Sequence, residues 1–121
     1  MGQRLWLWLP VILYMVGLFV GSSLPEAPMT ETVPDVSLHE IGYFGLTLLL
    51  VRALAKERWS GVTVFAVLVA FAIAVGYGAS LEWQQSFIPT RQADMRDVRA
   101  NALGAFAAAV VVKAWSIIRR L

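Results

Sequence analysis

The sequence predicts an all-α, polytopic membrane protein: a four-transmembrane-helix bundle with both termini in the cytoplasm. Hydrophobic residues make up 59% of the 121 residues and charged residues only 15%, whereas soluble domains average about 45–50% and about 25%. The stretches 5–25 and 59–81 contain no charged residue, and roughly 20 helical residues cross a hydrocarbon core of about 30 Å. With no cysteine in the chain, these observations exclude a disordered chain, a disulfide scaffold and a soluble nucleic-acid-binding protein.

Four apolar segments are the predicted spans, at 5–24, 36–54, 59–81 and 98–118. They occupy most of residues 1–121, which we therefore interpret as a single membrane domain. Helices are favoured over strands because transmembrane strands have about 9–11 alternating residues, and four strands cannot close a barrel. A cleaved signal peptide is the alternative for the first segment, but its one preceding cation and its long apolar stretch favour an uncleaved helix.

The distribution of charges predicts the orientation. One set of loops and termini contains seven cations and a single acid, Glu57; the other set contains three cations and the remaining acids. Because cytoplasmic loops are enriched in Lys and Arg, both termini are expected in the cytoplasm and the acidic loops outside. The cations of the first set are Arg4, Arg52, Lys56, Arg58, Lys113, Arg119 and Arg120, and those of the second are Arg91, Arg96 and Arg99.

Ionisable residues at the outer ends of the spans are candidates for function, because such residues are costly in a membrane. Asp35, His39 and Tyr43 are spaced by four and share one helix face. A carboxylate, an imidazole and a phenol in a row suit proton transfer or metal binding. Alternatively, Asp35 caps the helix and His39 forms a hydrogen bond with a neighbouring span.

After the third span, Glu82 and Gln85 are spaced by three and point the same way. A carboxylate at a helix C-terminus opposes the helix dipole, which suggests a partner, either Arg91 or His39. Alternatively, Glu82 is a solvated residue at the membrane interface beside Trp83, an anchoring aromatic.

The fourth segment begins with one helical stripe of polar residues. The helix dipole favours the carboxylates of Asp94 and Asp97 in the first turn. It does not explain the amide of Asn101 further along, within the apolar segment. The glycine of the stripe allows another helix to approach closely, and Gly17-x-x-x-Gly21 in the first span is interpreted as a similar packing signal within the bundle. The stripe consists of Arg91, Asp94, Asp97, Asn101 and Gly104.

These residues resemble the motifs of the VanZ-like family of small bacterial membrane proteins, named for a teicoplanin-resistance determinant. The resemblance lies in Asp35-x-x-x-His39-x-x-x-Tyr43 and in Glu82-x-x-Gln85-x-Phe87-x-Pro89-x-Arg91-x-x-Asp94-x-x-Asp97-x-x-x-Asn101-x-x-Gly104. It implies a multi-pass protein of the bacterial inner membrane that acts on or near the cell envelope; in the member that names the family, the phenotype is altered sensitivity to glycopeptide antibiotics. Family members often carry Lys after the first Asp, where this chain has Val36, so no role follows for that Lys. The resemblance implies no particular reaction.

The sequence therefore predicts a polar site at the outer face for a cell-envelope or lipid-linked amphiphile, and leaves open whether the protein is an enzyme. Arg91 would hold a phosphate or carboxylate, and His39 with Glu82 or Asp97 would perform acid–base chemistry. The candidate catalytic residues are His39, Glu82 and Asp97, and the candidate ligand-binding residues are Asp35, Tyr43, Gln85, Arg91, Asp94 and Asn101.

Three other hypotheses involve the same residues. One histidine with three carboxylates can hold Mg²⁺, Mn²⁺ or Zn²⁺, but without an H-x-x-x-H motif no metal ligand is assigned and the cofactor stays open. The polar residues could instead lock the bundle, with function in binding another membrane protein. A proton pathway is disfavoured because nothing titratable follows Asn101 until Lys113. The expected partners are the lipid bilayer and a lipid-linked envelope precursor, not nucleic acid, and the oligomeric state is open.

Overall fold

The computed structural model of the protein describes residues 2–23, 35–87 and 95–121. These residues form four long helices, α1 (Gly2–Ser23), α2 (Asp35–Leu54), α3 (Val64–Gln85) and α4 (Met95–Arg120), with a 3-10 turn at Trp59–Gly61. The described part of the chain contains no strand, which confirms the all-α prediction. By length and composition, α1, α3 and α4 can each cross a membrane. Within the described residues, α2 is not among these helices.

The third helix differs from its predicted bounds at both ends. It begins at Val64, after Thr63, whose hydroxyl accepts a hydrogen bond from the Ala66 amide at 3.0 Å and so caps the helix. The residues before it are fixed against α4 instead: Val62 N donates to Ser116 Oγ at 3.2 Å, and Lys113 Nζ donates to Val62 O at 2.9 Å. At its other end α3 continues to Gln85. Glu82 and Gln85, which were predicted to follow the span, therefore belong to the last turns of this helix.

α2 and α4 form the most extensive helix pair, and small residues allow their close contact. Gly104 lies directly against the α2 backbone, since a Cβ atom there would overlap the carbonyl group of Glu40. Deeper in the bundle, alanines of α3 and α4 pack around leucines of α2, as small residues do where membrane helices approach closely. Buried residues of this core include Leu46, Leu50, Ala70, Ala74, Ala105 and Ala108.

The packing role predicted for Gly17 and Gly21 is wrong for the described part of the chain. A Cβ atom at either glycine would meet nothing within 4 Å among the described residues, so neither glycine makes a close contact with another helix there. Tyrosines hold this helix instead: Tyr14 donates to Gly42 O at 2.7 Å, and Tyr77 donates to Met15 O. The first helix is therefore joined to α2 and α3 through side chains, and not through its glycine pair.

Candidate binding site at one end of the bundle

The site lies where α1 and α3 end and α2 and α4 begin. Two glutamines of α3 connect these ends to α1: Gln84 Nε2 donates to Ser23 Oγ at 3.4 Å, and Gln85 Nε2 donates to Ser22 O at 3.2 Å. The up-and-down order of the helices brings together segments that are about 40 to 60 residues apart in the sequence. This arrangement places the two predicted motifs at the same end of the bundle.

Three ionisable side chains meet there, one from each of three helices. His39 of α2, Glu82 of α3 and Asp97 of α4 each offer a ligand atom, and these atoms all lie within 4.8 Å of one another. The side chains of His39 and Asp97 are 15% and 10% exposed, and Glu82 as a residue is 6% exposed. We call these three residues together with Asn101 the polar cluster.

Asn101 fixes the orientation of the imidazole. Its Oδ1 lies 2.7 Å from His39 Nδ1, and because an amide oxygen only accepts hydrogen bonds, Nδ1 carries a proton. The other ring nitrogen, Nε2, lies 3.6 Å from Asp97 Oδ2. This separation exceeds the usual length of an N–H···O hydrogen bond, about 2.7–3.2 Å. His39 therefore presents Nε2 to the carboxylate side of the cluster.

Below the polar cluster, Gly78 makes room for the amide of Asn101. A Cβ atom at Gly78 would lie 2.6 Å from Asn101 Nδ2 and 3.0 Å from Tyr43 Cε1. Tyr43, a predicted ligand-binding residue, is buried in the hydrophobic core at this level. Gly78 could not be predicted from the sequence, because its function as a spacer depends on a neighbour in another helix.

Gln85, one turn after Glu82, is 1% exposed. Its Nε2 donates to Ser22 O, but its Oε1 has no hydrogen-bond partner among the described residues. A spacing of three places Gln85 and Glu82 on the same face of α3. A buried acceptor oxygen thus lies on the helix face that carries the Glu82 carboxylate.

The structure brings together four of the nine predicted site residues, namely His39, Glu82, Asp97 and Asn101. The structure also excludes one of the two alternatives for Glu82, that of a solvated side chain at the membrane interface, because this residue is only 6% exposed. Trp83 beside it is 69% exposed. Of the remaining predicted residues, Tyr43 and Gln85 are buried nearby. The side chain of Asp35 and the whole of Arg91 and Asp94 lie outside the described residues.

Two carboxylates around one oriented imidazole can exchange protons with a ligand or bind a cation. Each carboxylate can accept hydrogen bonds from hydroxyl or ammonium groups. The cluster is therefore suited to polar ligands that supply donors or positive charge.

Comparisons with known proteins return no match: no family model, no curated protein and no solved structure matches this chain.

Proposed function

We propose that this chain is a VanZ-like, four-span protein of the bacterial inner membrane whose polar cluster binds the headgroup of an envelope or lipid-linked amphiphile. The observation that carries this proposal is that His39, Glu82 and Asp97 converge from three helices at one end of an otherwise apolar bundle. All three side chains are largely buried there. Ionisable groups in such surroundings lower stability unless they serve a purpose, so their convergence favours a site.

The proposal includes α2 as the fourth span. Its 20 residues extend about 30 Å at 1.5 Å per residue, and residues 41–51 between Glu40 and Arg52 carry no charge. Contacts with α1, α3 and α4 surround this helix, so it needs less apolar surface of its own than a helix facing lipid. The excess of cations at the opposite end of the bundle supports an orientation with the polar cluster on the outer side and both termini in the cytoplasm.

The position of the cluster suits an amphiphile. His39, Glu82 and Asp97 lie within about one turn of the ends of their helices, about 5 Å along the helix axis, and therefore near the membrane–water interface. Trp83 and Phe87, both exposed, form an edge-to-face pair with ring centroids 5.1 Å apart, and Trp in particular is enriched at that interface. Acyl or prenyl chains would contact the apolar outer surface while the headgroup reaches the cluster.

The experiment is a comparison of His39→Gln, Glu82→Gln and Asp97→Asn with the matched control Glu40→Gln. The control removes a carboxylate next to His39 in sequence but outside the polar cluster. Native mass spectrometry of the detergent-solubilised protein would measure binding of a polyprenyl phosphate, and membrane level and teicoplanin susceptibility would be measured in cells. We expect the wild type and the control to bind, and the cluster variants to lose at least about tenfold in affinity, or about 1.4 kcal/mol.

Two results would overturn the proposal. If the cluster variants accumulate and bind like the wild type, the cluster is not the site. If each cluster variant disappears from the membrane while Glu40→Gln accumulates, the residues lock the bundle, and the protein works as a structural or accessory partner of another membrane protein. Separately, a reporter inserted at residues 25–35 should be labelled from outside the cytoplasm, and cytoplasmic labelling would reverse the proposed orientation.

A further inference from the structure

We propose that the end of the bundle opposite the polar cluster binds the headgroups of anionic phospholipids through arginines that each lie beside a tryptophan. Three segments form this end: the start of α1, the corner at residues 55–63 between α2 and α3, and the end of α4. All three segments belong to the described residues. They share no residue with the polar cluster, so this surface does not depend on the binding proposed there.

This end has more exposed positive charge than its acids balance. Residues 1–25, 41–81 and 98–121, which include all three segments, contain one acidic side chain, Glu57. Its carboxylate accepts hydrogen bonds from Arg52 Nη2 at 2.6 Å and from Trp6 Nε1 at 2.5 Å. The exposed basic residues of this end are Arg4, Lys56, Arg58, Arg119 and Arg120. Positive charge without matching acids attracts the anionic headgroups of a membrane.

Contacts between distant segments hold these cations on one surface. The hydrogen bond from Trp6 to Glu57 joins the start of α1 to the corner. At the other side of the corner, Val62 N donates to Ser116 Oγ at 3.2 Å, about one turn before the end of α4. The three segments are therefore fixed side by side, and a lipid layer around this end meets their cations together.

Tryptophans mark the level of the membrane interface at this end. Four of the five tryptophans of the chain lie here, and tryptophan is enriched at membrane–water interfaces. Trp6 is 63% exposed and Trp115 is 48% exposed, whereas Trp59 packs against the hydrophobic core. The four are Trp6, Trp8, Trp59 and Trp115. Lipid headgroups are therefore expected beside these rings, within reach of the neighbouring cations.

Three arginines lie beside tryptophans of this end. Arg119 is the clearest case, because its guanidinium carbon lies 5.7 Å from the centroid of the Trp115 ring. Four residues of helix also place the Arg119 backbone about 6 Å nearer the end of α4. A guanidinium over an aromatic face is held there by a cation–π interaction. The other two pairs are Arg4 with Trp6 near the start of α1 and Arg58 with Trp59 in the corner.

These arginine–tryptophan pairs suit the phosphodiester of an anionic lipid. A guanidinium presents its N–H groups in a planar fork that can hold two phosphate oxygens at once. The tryptophan ring limits the orientations of this fork and contacts the apolar part of the same lipid. Phosphatidylcholine also has a phosphate, but the surrounding cations would repel its quaternary ammonium group. The surface therefore selects lipids with a net negative charge, such as phosphatidylglycerol.

The test is native mass spectrometry of the purified full chain in a neutral detergent, titrated with phosphatidylglycerol or with phosphatidylcholine of the same acyl chains. We expect the wild type to bind phosphatidylglycerol at least about tenfold more tightly, with a preference that falls as salt is added. Arg119→Gln and Arg58→Gln should each reduce this preference about fivefold, as expected for one cation near an anionic surface. Arg99→Gln removes an exposed cation at the other end of the bundle and should leave the preference unchanged.

Two further variants distinguish the arginine–tryptophan pairs from positive charge alone. Arg119→Lys keeps the charge but loses the planar fork, and Trp115→Leu removes the ring over which Arg119 lies. Each should reduce the preference for phosphatidylglycerol about threefold. If Arg119→Lys keeps the full preference of the wild type, net charge attracts the lipid and the role assigned to the pairs is refuted.

The inference is overturned if the wild type binds both lipids equally, or if Arg99→Gln lowers the preference as much as Arg119→Gln does. Displacement of the lipid by an equal concentration of inorganic phosphate would also overturn it, since the ligand would then be a soluble anion. Circular dichroism and gel filtration show which variants are folded, and Arg58→Gln decides if Arg119→Gln is not. Glu82→Gln should keep the preference even if it loses headgroup binding at the polar cluster, so the two proposals fail separately.

Discussion

Charged contacts between distant residues occur at both ends of the bundle, but they differ in burial and in what they connect. At the end opposite the polar cluster, Glu57 accepts hydrogen bonds from Arg52 Nη2 at 2.6 Å and Trp6 Nε1 at 2.5 Å, and its side chain is 41% exposed. At the other end, Asp97 beside His39 is 10% exposed. An exposed ion pair contributes about 0.2–1 kcal/mol, whereas buried charges carry a desolvation cost.

This difference in burial distinguishes a contact that stabilises the fold from a candidate binding site. The contacts of Glu57 join the start of α1 to the end of α2, and this role accounts for the residue types found there. The polar cluster instead brings three ionisable groups into a space that apolar side chains would fill with less cost. The substitutions below test this distinction through the free energy of unfolding in detergent, from the largest expected effect to the smallest.

The largest effect is expected at Gly104, where α4 touches the α2 backbone. Gly104→Ala would place a Cβ atom against the Glu40 carbonyl, and because the obstacle is backbone, we expect a loss of about 3 kcal/mol. The matched control is Gly76→Ala in α3, where a Cβ atom meets nothing within 4 Å among the described residues, and it should leave stability unchanged or raise it. If Gly104→Ala and Gly76→Ala lowered stability equally, the close approach of α4 to the α2 backbone would be contradicted.

Glu82→Gln tests whether the cluster is built for function or for stability. This substitution replaces one of two buried carboxylates that lie close together with a neutral amide of similar shape, which costs less to bury. Because sites built for function commonly sacrifice stability, we expect the free energy of unfolding to rise by about 1 kcal/mol while headgroup binding is lost. A fall of several kcal/mol would instead identify the cluster as the lock of the bundle.

A smaller effect of opposite sign is expected at the other end. Glu57→Gln should lower stability by at most about 1 kcal/mol, because the Glu57 side chain is 41% exposed although that of Arg52 is 16% exposed, and added salt should reduce the difference by screening it. A double-mutant cycle with Arg52→Ala would isolate the pair energy. The control is Arg58→Gln, which removes a neighbouring exposed cation. A coupling energy between Arg52 and Glu57 above about 2 kcal/mol would contradict the view that this end is held only by a weak ion pair.

The smallest effect is expected on the open face of α1. Gly21→Ala adds a Cβ atom where nothing lies within 4 Å among the described residues, so stability should change by less than about 0.5 kcal/mol or rise slightly through reduced chain entropy. The measurement is the same unfolding experiment. A marked loss of stability would show that Gly21 has a packing partner that this structure does not bring to it.

The sequence was informative about the site because helical spacing alone places residues on faces. The positions of His39, Asp97, Asn101 and Gly104 follow from steps of three and four along α2 and α4, and all four face the interior. Spacing could not tell that Gly104 packs against a helix and Gly17 does not, since both were interpreted as glycines that allow a close approach of helices. The start of α3 could not be predicted either, because the residues before it carry no charge, whereas hydrogen bonds between Val62 and the distant α4 hold this segment outside the helix.

The corner after α2 has a practical consequence for work on this protein. Lys56 and Glu57 both have left-handed backbones, with φ of 53° and 64°, a conformation that costs non-glycine residues roughly 1 kcal/mol each. Glu57 occupies its position while reaching Arg52 and Trp6, but Lys56 is an exposed side chain outside this contact. Lys56→Gly therefore relieves backbone strain while leaving the contacts of Glu57 and the polar cluster in place, and offers a more stable background in which damaging variants of the polar cluster can be purified and compared.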